Sequence, residues 1–177
     1  PPAMTRLRAA ADSIPADLPV LLMDTAPAAV LGALDDPRVA EQDDLVVANV
    51  GNFHCLAFHL VGGAIAGCFE HHTGELSAAQ LETLIERLGS GAITNQEVFD
   101  SMGHGALVLR PTPDSRPFLA VTGPRQAMLR KSALAPYFAV PHGDMMLAGC
   151  YGLLRAYAAS YPTATGTIEH ALAGASR

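Results

Sequence analysis

The stretch NVGNFHCLAFHLVGGAIAGCFEHHTGEL, residues 49–76, holds His54, His59, His71 and His72 with Glu70 and Glu75. Neutral imidazoles combined with carboxylates suit zinc or a similar divalent ion. His71, His72 and His142, with Glu70, Glu75 and Asp144, are therefore the candidate metal ligands, or else the lining of a substrate rim. Their spacing contains no His-Glu-x-x-His pattern. Neighbours such as His71 and His72 point to opposite faces of a strand, so at most one of them can face a shared site. The bland alternative is that these residues cap elements, Glu75 near the start of the next helix and Asp144 at an N-cap. His54 and His59 have opposite parity and read as partly buried, hydrogen-bonded structural residues. His104 sits in a turn between Gly103 and Gly105 and receives no role. Cys68 and Cys150 read as small core residues.

A second chemistry is offered by the glycine turns. Gly51-Asn52, Thr122-Gly123-Pro124-Arg125 and Pro141-His142-Gly143-Asp144 each follow an apolar run. Such turns let backbone N–H groups approach an anion, and a following helix N-terminus adds partial positive charge. The competing readings are an ordinary hairpin turn for Gly51-Asn52 and an ordinary helix start for Gly123-Pro124.

These residues need a scaffold that collects them. Residues 45–50 are a continuous apolar run, as expected of a central strand covered on both faces. Residues 53–60 and 64–70 extend again across Gly62-Gly63, giving a three-strand antiparallel meander. The period then changes. Ser77 with Gln80 and Thr94 with Glu97 are capping boxes, and Leu81, Leu84, Ile85 and Leu88 mark one helical face. Residues 118–121 and 137–140 are further strands, GHGALVL is another, and a helix through Met128 and Leu129 follows Gly123-Pro124. Asp144 caps an apolar helix over residues 145–160. Upstream, residues 5–11 form a short helix, residues 20–23 (VLLM) a buried strand, and DTAPAAVLGAL a slim Ala-rich helix capped by Asp24 or Thr25. DDPRVAEQDD reads as an acidic surface loop.

The later strands connect through helices and so run parallel to the first. The layout predicts an α/β, ribonuclease H-like mixed sheet flanked by helices. Its strand ends would gather the glycine turns and histidines along one edge, where open α/β sheets bind ligands. Residues 1–44 would be a helix, strand and connecting helix, and residues 45–177 the sheet-bearing lobe. A start in helical rhythm at Pro1 suggests a fragment of a longer protein.

Bulk properties narrow the classes. The chain has 177 residues, 50% apolar and 16% charged, with net charge −6. That balance supports a sizeable core and lacks the basic stripe a nucleic-acid partner needs. Three cysteines form neither a disulfide framework nor a C-x-x-C pair, which suits a reducing cytoplasm. The longest apolar run is too short for a bilayer, and no membrane partner is expected.

LLMDTAPAAVLGAL followed by DLVVANVGNFHCLAFHL resembles the domain junction of the actin, sugar-kinase and heat-shock chaperone ATPase superfamily. FLAVTGPR is similar to that superfamily's adenosine motif. NVGNFH, FEHHTGEL, MGHGAL and PHGDMMLAG more closely resemble a prokaryotic family of unknown function placed there, whose members are often labelled pyruvate formate-lyase activating enzymes. The resemblance implies the second lobe of an actin-like ATPase. ATP with magnesium would lie across the strand ends, at Asn49, Gly51, Asn52, Thr122, Gly123 and Arg125. Asn49 stands where the superfamily presents a magnesium-directed aspartate, and Cys55 where it presents a phosphate-facing threonine. The lobe alone would be inactive as a phosphotransferase, requiring the N-terminal lobe and a small-molecule substrate, with an oligomer also allowed. A radical iron–sulfur site needs three grouped cysteines, so no such cluster is expected. Two other classes remain: a metal-dependent hydrolase built on the His/Asp/Glu edge, and a non-catalytic interaction module.

Overall fold

The computed structural model describes residues 4–175; residues 1–3, including the start at Pro1, and 176–177 lie outside the description. A six-stranded mixed sheet organises the molecule, with helices on both faces. β1 (Asp44–Val50), β2 (His54–Val61) and β3 (Ala64–His72) form the antiparallel meander. Its β2–β3 turn is Gly62-Gly63, with φ of 60° and 74°, the left-handed backbone that glycine adopts without a Cβ clash. β4 (Gly105–Val108) extends the β3 edge antiparallel, while β5 (Phe118–Thr122) and β6 (Tyr137–Phe138) run parallel beyond β1. The order is β4-β3-β2-β1-β5-β6.

β1 is buried along residues 45–50 because both of its faces are covered. On one face α4 (Ala78–Gly89) lays Leu81, Leu84, Ile85 and Leu88 over Val46, Ala48 and Val50. Its start is the expected capping box, with Ser77 Oγ accepting from the Gln80 N–H and the Gln80 side chain accepting from the Ser77 N–H. On the other face α2 (Thr25–Ala33), capped by Asp24, packs Val30 and Ala33 over Leu45 and Val47.

α6 (Ala148–Ser160) closes against α2 at glycine contacts. A Cβ on Gly32 would lie 1.8 Å from the Ala148 carbonyl oxygen, and one on Gly152 would lie 1.9 Å from that of Ala28. The small residues of α2 therefore serve close helix–helix approach as well as packing on the sheet. α7 (Pro162–Ala175) adds Ile168 and Leu172 to a small cluster with Ala158. α1 (Thr5–Asp12) buries none of its residues and is tied by an exposed Arg6–Asp24 pair at 2.8 Å.

Several expectations need correction. Residues 20–23 form no strand; the Val20 carbonyl accepts from the Tyr161 hydroxyl instead, and a four-residue apolar run cannot by itself distinguish strand from packed connector. The acidic loop is not all surface. Asp36 is 3% exposed, caps the one-turn helix α3 (Pro37–Ala40), and accepts from the Tyr137 hydroxyl and the Val140 N–H. That capture, with Pro141 following, stops β6 two residues early. The helix after Gly123-Pro124 is only a 3-10 turn, Gln126–Leu129, so β5 and β6 are joined without an α-helical crossover. The apolar segment after Asp144 starts as a 3-10 turn, and Leu153 and Leu154 of α6 are exposed at 37% and 39%, so only one side of that helix is buried. α5 (Asn95–Asp100) follows Thr94, whose side chain accepts from the Glu97 N–H, and is closed by Ser101, with Met102 beyond it at φ 72°.

Candidate functional site

Parallel strands that lie side by side end together. Asn49, the penultimate residue of β1, pairs with Thr122, the last residue of β5. Beyond them a cavity of about 370 Å³ opens, floored by Asn49, Gly51, Thr122 and Gly123 and walled by α2, Met145 and α6. Gly123 is required here: its φ is 98°, and a Cβ would lie 2.6 Å from the Val50 carbonyl and 2.8 Å from the Asn49 amide oxygen. The Thr122 hydroxyl is buried without a hydrogen-bond partner among the described residues. A buried orphan hydroxyl is costly, and with Thr122 0% exposed it lies beneath the cavity floor, reached by a ligand atom only if that floor shifts.

The phosphate-cradle expectation fits this geometry poorly. The Gly51 N–H donates to the His54 carbonyl at 3.0 Å, closing the β1–β2 hairpin. The Arg125 N–H donates to the Val50 carbonyl at 2.9 Å, and the Gly123 N–H to Met145 Sδ at 3.3 Å. The N–H groups of Gly51, Gly123 and Arg125 are thus already engaged within the chain. Asn52 is exposed beside the hairpin, and the Arg125 side chain is exposed outside the cavity wall. Among the described residues, the lining contains no cationic side chain and no carboxylate. Cys55 pairs with Val50 and faces the α4 core, so it cannot face a phosphate. Burial, and then the charge of Glu70, push its thiol up to about 12.

The expected histidine and carboxylate rim is not assembled. His71 is fully buried on the core face; its Nδ1–H donates to the His72 carbonyl at 3.1 Å, and its Nε2 lies 3.1 Å from Ser101 Oγ. His142 is tied to Asp35, Nε2 to Oδ2 at 2.8 Å, and its ring lies 4.6 Å from that of Tyr151. Arg155 also holds Asp35 and reaches Glu169, so this cluster joins the end of α2 to α6 and α7. Asp144 is an N-cap, its side chain accepting from the Met146 N–H, and Glu75 is exposed in the 3-10 turn Thr73–Glu75. Among the described residues, His72 is the one candidate that joins a potential ligand set, and its partners there are His54 and His104. His54 is exposed, not a partly buried structural residue. Nothing in their separation along the chain signals this grouping; strand register creates it.

Elsewhere, His59, Asp44 and Ser115 form a chain that superficially looks catalytic. His59 Nε2–H donates to Asp44 at 2.8 Å, and Ser115 Oγ donates to the other Asp44 oxygen at 2.6 Å. With aspartate in the middle, no base reaches the serine, so the arrangement ties a loop to β1 and activates nothing. A larger cavity of about 490 Å³ opens near Val46, Leu119 and the residues 113–117 loop, at the opposite end of the parallel strands.

Residues 1–128 match the model of a domain family of unknown function described as "Putative pyruvate format-lyase activating enzyme (DUF1786)". The chain belongs to this family. No curated protein and no solved structure matches the chain. Among the described residues, no helix is long and apolar enough to cross a membrane.

Proposed function

We propose that this chain is the nucleotide-binding lobe of an actin-like ATPase or sugar-kinase-like protein, with its nucleoside subsite in the cavity at the β1 and β5 ends. The strand order supports the ribonuclease H-like reading: three antiparallel strands, then two parallel to the first, with β4 as an added edge. The observation that carries the functional reading is the largely apolar cavity that opens where two parallel strands end, with Asn49 and Thr25 in its lining. An apolar wall with a few polar side chains suits a base and ribose.

It does not suit a magnesium triphosphate. Magnesium is held through carboxylates and substrate phosphates, and Asn49 supplies no charge. No phosphoryl step is therefore derived for this chain, which would depend on a further lobe and on a small-molecule substrate. The activating-enzyme description also finds no matching donor set. Cys55 faces the α4 core, Cys68 is half-buried on β3, and Cys150 is exposed on α6. An iron–sulfur cluster needs thiolates grouped around it. The three thiols are free, which fits a reducing cytoplasm.

Cys150 supplies a built-in probe because it lies in the cavity wall. Adenosine and ATP should each slow its alkylation and bind in calorimetry within about threefold of one another, under about 0.7 kcal/mol apart. Gly149→Leu has room at its Cβ, whose nearest atoms lie 4.0 Å away, and should block the cavity without unfolding the protein. If millimolar adenosine, ADP and ATP all leave both the alkylation rate and the calorimetric baseline unchanged, the nucleoside assignment is wrong.

A further inference from the structure

We propose that His54, His72 and His104 form a binding site for one divalent transition ion of the zinc type. His54 opens β2 and His72 closes β3, and the two are direct partners in the ladder. His104 immediately precedes β4, and its N–H donates to the Glu70 carbonyl at 2.9 Å. Three neighbouring segments thus bring three imidazoles to one end of the sheet. The alternation of the pleat puts them on the face opposite buried His71 and Cys55.

The rings meet at centroid distances of 5.0, 5.0 and 4.4 Å. One nitrogen from each ring lies within 4.8 Å of the others. Tetrahedral zinc, with Zn–N bonds of about 2.0–2.1 Å, requires nitrogens about 3.3–3.4 Å apart. Side-chain rotation must close the remaining gap. His54 and His104 are exposed and His72 half-buried, so the rings have room to turn. Among the described residues, no side-chain hydrogen bond engages any of the three.

Their backbones, in contrast, are fixed. The Thr73 N–H donates to the Phe53 carbonyl at 2.8 Å, pinning the β2 and β3 ends together, while the His104 N–H pins the third segment. Rigid backbone beneath unengaged imidazoles favours an ion that supplies the missing partner for all three rings. Imidazole nitrogen selects zinc, nickel, copper or cobalt over magnesium and calcium, which prefer oxygen. Three neutral ligands leave the ion's charge uncompensated and at least one coordination position open. An oxygen ligand, from water or a carboxylate, would complete the shell. This site stands independently of the nucleoside reading.

The test is a zinc titration of the untagged protein against a chromophoric chelator, with cobalt absorption as a second readout. One zinc per chain is expected, with at least a tenfold loss of affinity in His54→Ala and in His104→Ala. His170→Ala, an exposed histidine on α7, should bind as the parent does. Because the first two residues are exposed, circular dichroism should show an intact fold. Absence of saturable zinc binding overturns the proposal, and so does unchanged binding in the combined His54→Ala/His104→Ala protein.

Discussion

The face of the sheet that carries both sites is built in two contrasting halves. Over β1 and β5 it is roofed by α2 and α6, whose glycines bring their backbones into contact, and the space left is small and largely apolar. Over β3 and β4 no such roof exists among the described residues: Leu107 is 54% exposed, Cys68 and Glu70 are half-buried, and the three histidines stand together at the strand ends. The halves are continuous through the Asn49–Leu56–Glu70 pairing. Covering decides which chemistry each can support. The roofed half buries one unpaired hydroxyl completely, whereas the open half leaves imidazoles free to turn toward an ion.

The roof is the first place to break this contrast. Gly152→Val drives a side chain into the Ala28 backbone and should cost about 3 kcal/mol or more in urea denaturation. A loss under about 1 kcal/mol would mean that the helices separate easily and that the cavity is not a fixed shape.

The two sides of the sheet at the β3 end provide the next comparison. His71→Ala removes a buried ring and its contacts with the His72 carbonyl and Ser101 Oγ, so about 2–3 kcal/mol should be lost. His72→Ala, one residue away, should stay within about 0.5 kcal/mol, because it removes no core contact. Equal losses would contradict the pleat assignment.

Thr122→Val sharpens the reading of the roofed half. Replacing an unpartnered buried hydroxyl with a methyl of similar shape should stabilise the unliganded protein by about 1 kcal/mol. Destabilisation would show that the hydroxyl already has a partner.

The smallest effect concerns acid. Burial alone would raise Asp44, but hydrogen bonds from Ser115 and His59 outweigh it and hold the carboxyl below its ordinary value. The Arg87 guanidinium lowers Glu97 in the same direction. Depressed carboxylates contribute stability above their unfolded values of about 4, and that contribution is lost as pH falls through the lower folded values. The urea midpoint should therefore drop between pH 5 and pH 2.5, and Glu97→Gln should flatten the slope. An unchanged slope would mean that Arg87 gives Glu97 no net stabilisation.

Much of the scaffold was legible because its signals are local. The Gly62-Gly63 turn, the Ser77–Gln80 box and the cap at Asp24, one of the two residues offered for it, each depend on residues within one turn of chain, and each forms, whereas Asp144 caps only the 3-10 turn ahead of α6. The run at residues 20–23 misled because hydrophobicity reports burial and not a pairing partner. The glycine turn at Gly51 was overread for a similar reason: composition shows that a backbone can approach an anion, but not that its N–H is already spent on His54. The metal candidates failed in a third way. Parity correctly separated His71 from His72, yet could not tell that His54 and His104 would be the companions.

Taken alone, the order of residues determined the α/β class, the meander and the Ser77–Gln80 box, since alternation, helical period and turn chemistry act over a few residues. Tertiary structure decided which polar groups meet. Ladder register placed His54 opposite His72 and brought His104 alongside, and glycine contacts between α2 and α6 set the size of the cavity over Thr122. Those outcomes depend on distances between segments far apart in the chain, which are fixed only once the sheet has closed and the helices have packed upon it.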